Sequence, residues 1–154
     1  MIGLVLVMHE PLASAMLVCI KHVMGEVPEA IQVLDVPPDE SVDVTVSHIQ
    51  TLAREVHQGE GVVFLTDLFG ATPSNASMKA GLACMDIATV LVAGANLPMV
   101  LRAISYRDLP ISEMAERLVA GGRNGIVSTG TTAPQQQTFN PAETDDSARN
   151  QHQQ

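Results

Sequence analysis

Aromatic side chains are scarce in this 154-residue sequence, which contains no tryptophan, one tyrosine and three phenylalanines. Proteins that bind single-stranded nucleic acid rely on exposed rings as stacking platforms for bases. The formal net charge of −9 is also unfavourable for that function, because an acidic surface repels the phosphate backbone. These two features exclude DNA and RNA as expected partners. The scarcity of rings also disfavours a flavin site, which would need an aromatic sandwich around the isoalloxazine.

Cysteine is nearly as rare, and Cys19 and Cys84 have neither the spacing of metal ligands nor that of a disulfide framework. Both lie in apolar stretches, so we expect two buried free thiols in a reducing compartment. The sequence has no run of about 20 apolar residues and no basic amino-terminal region with a cleavage site, so neither a membrane span nor a secretion signal is predicted. We therefore expect a cytoplasmic protein that needs no metal and no cofactor.

Hydrophobic residues account for 46% of the chain, and their pattern alternates between strand and helix. Residues 2–8 (IGLVLVM) form an unbroken apolar run that is typical of a strand buried on both faces of a parallel sheet. The segment after it has apolar residues at helical spacing. Further strands are predicted around residues 31–34, 61–67, 87–93 and 125–129. This alternation predicts an α/β three-layer sandwich with a mostly parallel sheet in the flavodoxin-like strand order 2-1-3-4.

The composition changes after Gly130. Residues 131–154 are polar, rich in glutamine and nearly free of large apolar side chains. Such a segment cannot bury enough surface to offset the entropy that it would lose on ordering. We therefore expect one folded domain at residues 1–130, followed by a disordered polar tail at residues 131–154.

Two residues with reactive side chains follow neighbouring strands of the predicted sheet. His9 comes directly after the first strand, and Asp67 ends the third. Both should lie on the edge formed by the carboxyl ends of the strands, where the ligands of such sheets collect. Asp67 would accept the proton of one imidazole nitrogen and leave the other nitrogen free as a nucleophile. The alternative, from the residues alone, is a surface histidine near an ordinary strand-end aspartate.

The segment FGATP at residues 69–73 leads from the third strand into a helix. Thr72 followed by Pro73 is typical of a helix start, with Thr72 as the N-cap. The free N–H groups and the dipole at such a start favour an anion, so a phosphate-sized site beside His9 is one interpretation. A tight strand-to-helix turn without a ligand is the other.

Three segments together resemble the mannose-type enzyme IIA of the bacterial phosphoenolpyruvate-dependent sugar phosphotransferase system (PTS). They are MIGLVLVMHEPLASAML, VVFLTDLFGATPSNAS and VLVAGANLPMVLRAI, and the resemblance covers about residues 1–130. In that family the histidine accepts a phosphoryl group from the carrier protein HPr and passes it to a IIB partner. The resemblance implies that His9 is phosphorylated and that Asp67 is its hydrogen-bond partner. The residues that it implies for holding the phosphoryl group are Gly70, Thr72 and Asn75.

The resemblance also implies protein partners. HPr is expected as the phosphoryl donor and a separate IIB chain as the acceptor, while contact with a membrane would be indirect, through a transporter complex. The family is typically dimeric and exchanges its final strand between subunits, and here residues 125–129 would form that strand, antiparallel to the rest of the sheet. The predicted docking contacts are Phe69, Asn96, Pro98 and Met99. For Phe69, burial against the third helix is the alternative.

The sequence departs from the family pattern after His9, where Glu10 and Pro11 stand in place of the usual small residue. A carboxylate beside the acceptor would repel an incoming phosphoryl group and slow its transfer. Two related functions stay open, namely a regulatory phosphocarrier outside sugar transport and the phosphotransfer subunit of a dihydroxyacetone kinase. A receiver-like regulator phosphorylated on Asp67 fits less well, because no lysine occurs beyond Lys79.

Overall fold

The computed structural model describes residues 1–130, and the predicted tail lies outside them. Strands and helices alternate along the chain, and a pair of helices follows the last strand. Within the described residues, no helix is long and apolar enough to cross a membrane. The elements are β1 (Gly3–His9), α1 (Leu12–Met24), β2 (Ile31–Val36), α2 (Val42–Val56), β3 (Val62–Thr66), α3 (Thr72–Ala83), β4 (Thr89–Ala93), α4 (Leu97–Ser105) and α5 (Ile111–Asn124).

The four strands are parallel and lie in the order β2-β1-β3-β4, which confirms the predicted α/β sandwich and its strand order. The two central strands are apolar and buried on both faces up to their last residues. The pairing of β1 with β3 places Val7 beside Thr66. His9 and Asp67 follow these partners by two residues and one residue, so they emerge at the same edge of the sheet.

Helices cover both faces of the sheet. One core lies between the sheet and the helices α1, α4 and α5, with Leu6 and Met8 of β1 at its centre. The other core lies under α2 and α3 and contains Val7 and Phe64. Because successive side chains of a strand point to opposite faces, the single apolar run of β1 supplies both cores.

The two cysteines differ in their surroundings. Cys84 is buried, as predicted, but the prediction for Cys19 was wrong because this thiol is exposed. Helix α1 fully buries only Ala13 and Ile20. A residue next to Ile20 in a helix points about 100° away from it, so Cys19 lies outside the buried stripe although its neighbours in sequence are apolar.

Residues 125–129 do not form the predicted strand within the single chain. They lie outside helix and strand, and Ile126 and Val127 are each 75% exposed. The prediction was therefore wrong for the isolated chain, because no strand in the described part of this chain pairs with the segment. Exchange of the segment with a second subunit requires two chains and stays a prediction.

Candidate functional site

His9 and Asp67 form a hydrogen-bonded pair at the carboxyl ends of β1 and β3. Nδ1 of His9 lies 2.7 Å from Oδ2 of Asp67, and the backbone N–H of His9 donates to the same oxygen at 3.3 Å. The His9 side chain is 48% exposed, whereas that of Asp67 is 15% exposed. Asp67 therefore holds the imidazole through Nδ1 and leaves Nε2 as the ring nitrogen that can react.

The charge of Asp67 fixes the tautomer of His9. Burial raises the pKa of Asp67, but the hydrogen bonds from the side chain and backbone of His9 and the attraction to its ring lower it, and the net pKa lies below the ordinary value. An ionised carboxylate accepts a hydrogen bond from Nδ1–H and so selects the tautomer that has its proton on Nδ1 and a lone pair on Nε2. Because the pKa is lowered in the folded state, the pair stabilises the fold above about pH 4, and this stabilisation is lost as the pH falls through the folded-state pKa.

Two side chains from the first turn of α3 close the loop that follows Asp67. The N–H of Gly70 donates to Oγ of Ser74 at 2.8 Å, and this hydroxyl donates to the carbonyl of Ala71 at 3.0 Å. Nδ2 of Asn75 donates to the carbonyl of Gly70 at 3.0 Å. Gly70 has a φ of +85°, which favours glycine. Both backbone polar groups of Gly70 are thus held by α3, and the loop has a defined shape.

The helix start after this loop lies one residue earlier than predicted. Ala71 is the N-cap, with an extended conformation, and Thr72 is the first helical residue. The carbonyl of Ala71 already accepts the N–H of Asn75 at 3.0 Å, which begins the helix at Thr72. The phosphoryl-holding role of Gly70, Thr72 and Asn75 stays a prediction, and the structure gives Asn75 a loop-closing bond in addition.

Leu68 and Phe69 form an apolar tip on the same loop. Their side chains are 59% and 70% exposed. The alternative of burial against the third helix is therefore wrong for Phe69. The tip directly follows Asp67 in the chain, which is compatible with contact to a partner that approaches His9. Its docking role stays a prediction.

The loop after β4 has a different set of contacts. Oδ1 of Asn96 accepts the N–H of Met99 at 3.0 Å and caps α4, while Nδ2 of Asn96 donates to the carbonyl of Gly122 in α5 at 3.0 Å. A Cβ atom at Gly122 would lie 2.7 Å from Cε of Met99, so the glycine permits a close approach of α4 and α5. The docking role of Asn96, Pro98 and Met99 stays a prediction, and Met99 offers little surface for it because it is only 5% exposed.

Sequence reasoning missed two residues near the pair. Ser74 is fully buried and forms the loop bonds described above. Asp35, in β2, accepts the N–H of Ser14 at 3.0 Å through Oδ1 and the hydroxyl of Ser14 through Oδ2. The available signal for Asp35 was a carboxylate at the end of a predicted strand, in VLDVPP. Its partner in α1 could not be identified without the fold.

A family model described as the PTS system fructose IIA component (EIIA-man) matches residues 3–119. The sorbose-specific EIIA component of the PTS from Lacticaseibacillus casei is 32% identical over 117 residues, which are 75% of this chain and 82% of that protein. The mannose-specific EIIAB component from Escherichia coli (strain K12) is 26% identical over 127 residues, which are 81% of this chain but 38% of that longer protein.

Solved structures with the same fold carry related names. The mannose/sorbose-specific IIA subunit from Enterococcus faecalis has a TM-score of 0.75 at 22% identity, with 86% of this chain and 98% of that chain covered. The EIIA component from Streptococcus agalactiae has a TM-score of 0.74 at 24% identity, with coverages of 83% and 97%. The family match over most of the described residues identifies the chain as a member of the mannose-type EIIA family of the phosphoenolpyruvate-dependent sugar phosphotransferase system.

Proposed function

We propose that this protein is a cytoplasmic phosphocarrier that accepts a phosphoryl group from HPr on Nε2 of His9 and passes it to a separate IIB chain. The observation that carries the proposal is the 2.7 Å contact between Nδ1 of His9 and Oδ2 of Asp67. It orients a half-exposed imidazole and leaves its other nitrogen as the nucleophile. Membership of the EIIA family supports a role in phosphotransfer within a sugar PTS.

The proposed reaction has two displacements at phosphorus. In the first, the lone pair of Nε2 attacks the phosphoryl group of the donor, the P–Nε2 bond forms, and the bond between phosphorus and the donor breaks with its electron pair staying on the donor. In the second, a nucleophile of IIB attacks phosphorus and the electron pair of the P–Nε2 bond returns to Nε2. Throughout both steps Asp67 accepts the hydrogen bond from Nδ1–H and stabilises the positive charge that develops on the ring.

The start of α3 supplies the groups that would hold the phosphoryl oxygens. In phosphoryl transfer the negative charge is spread over these oxygens, and positioned N–H donors and helix dipoles stabilise it. In this proposal Thr72 is at the first helical position, and Asn75 offers the second hydrogen of its side-chain amide. Gly70 contributes the shape of the loop, because its N–H is bonded to Ser74. Glu10 is exposed beside His9 and opposes the approach of the anion.

A homodimer is part of the proposal. Beside β4, which is one of the two edge strands of the described sheet, lies a cleft of about 290 Å³ between α3 and β4. Leu82 and Met85, near the end of α3, are 82% and 94% exposed. Ile126 and Val127, the large apolar residues of segment 125–129, are each 75% exposed. A second copy would cover these surfaces by pairing its segment 125–129 with β4. Sedimentation is expected to give a dimer at micromolar concentration, and a monomer there would contradict the dimer.

The test of the phosphocarrier function is the intact mass after incubation with phosphoenolpyruvate, enzyme I and HPr. We expect one phosphoryl group that is acid-labile and base-stable, absent from His9→Ala and removed by a IIB chain. His48→Ala is the matched control, because His48 is a comparably exposed histidine on α2 and its loss should not change the mass gain. A base-labile adduct that survives in His9→Ala would point to Asp67 instead, and no adduct on the wild-type protein would contradict the proposal.

A further inference from the structure

The N-terminus of helix α1 is capped by a side chain from strand β2. Its own N-cap residue is Pro11, which makes no side-chain cap bond. Instead, Asp35 of β2 accepts both the backbone N–H and the hydroxyl of Ser14, at the third position of the helix. A carboxylate in this place satisfies a free N–H group and interacts favourably with the positive end of the helix dipole.

The same strand also holds the connection between His9 and α1. Only Glu10 and Pro11 separate β1 from α1. The N–H of Glu10 donates to the carbonyl of Val36 at 3.2 Å. Neighbouring residues at the end of β2 therefore fix both sides of this short connection, Val36 at its beginning and Asp35 just beyond its end.

His9 is consequently held from two sides. Asp67, directly after β3, fixes the imidazole ring and the backbone N–H, while the end of β2 fixes the backbone that follows. We propose that Asp35 is a positioning residue for phosphotransfer, which acts through the α1 cap to keep Nε2 of His9 aligned with the incoming phosphorus. This inference rests on the proposed function of His9.

The magnitude of the effect follows from the geometry of transfer. A displacement of a reacting group by about 1 Å can lower a rate about 100-fold, because the near-attack arrangement is lost. Removing the Asp35 carboxylate frees the first turn of α1 and loosens the pair of His9 with Asp67, but it leaves the Val36 bond and both groups of the pair present. A smaller displacement is therefore expected, with a loss of about tenfold in the maximal rate of phosphorylation.

The experiment compares Asp35→Ala with Asp35→Asn and with Ser41→Ala. Ser41 is the matched control because its hydroxyl also caps a helix, α2, but accepts a bond only from Val44 of that helix. Phosphorylation by HPr is followed by rapid quench over a range of HPr concentrations. The His9 ring is followed by ¹⁵N NMR, and thermal unfolding is measured for every variant.

Asp35→Ala is expected to lower the maximal rate about tenfold with little change in the KM for HPr, and to weaken the Nδ1–H signal of His9. Asp35→Asn keeps an Oδ1 acceptor for the N–H of Ser14 and should restore most of the rate. Ser41→Ala should lower the Tm without changing either the rate or the ring signals.

A purely structural role gives a different pattern. The inference is overturned if Asp35→Ala lowers the Tm as Ser41→Ala does while its rate and its His9 ring signals match the wild type. Should Asp35→Ala not fold, Ser14→Ala removes only the hydroxyl bond and is read by the same criteria. If the wild-type protein is never phosphorylated, the proposed function fails, but the ring signals of the Asp35 variants still decide whether Asp35 positions His9.

Discussion

The loop after β3 and the loop after β4 leave the same edge of the sheet and are built alike. Each contains a glycine with positive φ, +85° at Gly70 and +77° at Gly94. Each then enters a helix with a proline at its second position, Pro73 in α3 and Pro98 in α4. On sequence alone, both loops were candidates for functional roles.

Their hydrogen bonds separate them. The β3 loop is closed by Ser74 and Asn75 of its own helix, carries the Asp67 contact to His9 and exposes an apolar tip. In the β4 loop, Asn96 caps its helix and reaches across to Gly122 of α5. The first arrangement leaves the loop free to meet a partner, and the second ties two helices together. The polar side chains of the two loops therefore have different hydrogen-bond partners, although the two motifs are alike.

Removal of Asp67 should have the largest effect. Asp67→Ala leaves Nδ1 of His9 without its acceptor, so both the ring orientation and the tautomer are lost. We expect the rate of phosphorylation by HPr to fall about 100-fold without vanishing, because the carboxylate orients the nucleophile but forms no bond to phosphorus. Rapid-quench kinetics would measure this. Asp43→Ala, at an exposed position in the first turn of α2, should keep the wild-type rate, and an unchanged rate in Asp67→Ala would remove the basis of the proposed site.

Opening the β3 loop should have the next largest effect. Ser74→Ala leaves the N–H of Gly70 unpaired, and we expect about a tenfold lower rate together with a loss of about 1–2 kcal/mol in the free energy of unfolding. Ser77→Ala is the matched control, because Ser77 is equally buried in α3 but donates only to the carbonyl of Pro73. It should lose similar stability and keep its rate. Equal rates in the two variants would show that the loop shape does not matter for transfer.

A substitution in the exposed tip tests whether the β3 loop contacts HPr. Phe69→Ser should raise the KM for HPr about fivefold, which corresponds to about 1 kcal/mol, and leave the maximal rate unchanged. Stability should not change, because the ring is 70% exposed. Val18→Ser on α1 is the control, since Val18 is 69% exposed, and its KM should stay at the wild-type value. A wild-type KM in Phe69→Ser would mean that HPr does not contact the tip.

Local patterns were sufficient to predict most of the fold. The unbroken apolar run of β1 and the helical stripe that follows it specify a buried strand and a covering helix without reference to the rest of the chain. The order of these elements then leaves few topologies, and the predicted order 2-1-3-4 is the one found. The pairing of His9 with Asp67 followed from that order, because both residues lie at the carboxyl ends of neighbouring central strands.

The remaining features depend on contacts between segments that are distant in sequence. Asp35 and Ser14 are 21 residues apart, and Asn96 and Gly122 are 26 apart, so no local pattern indicates either bond. The exposure of Cys19 depends on which side of α1 faces the sheet. For residues 125–129 the pairing partner predicted from the family belongs to a second chain, which a single sequence cannot place.

The β4 loop should give the smallest change in transfer. Asn96→Ala removes the cap of α4 and the bond to Gly122, so the free energy of unfolding should fall by about 1–2 kcal/mol. The rate of phosphorylation should stay within about twofold of the wild type, because neither bond reaches His9. Asn96→Asp keeps the capping oxygen and loses the donor to Gly122, so its stability should be intermediate. If Asn96→Ala instead lost transfer and kept its stability, Asn96 would act in the reaction, and the contrast between the two loops would disappear.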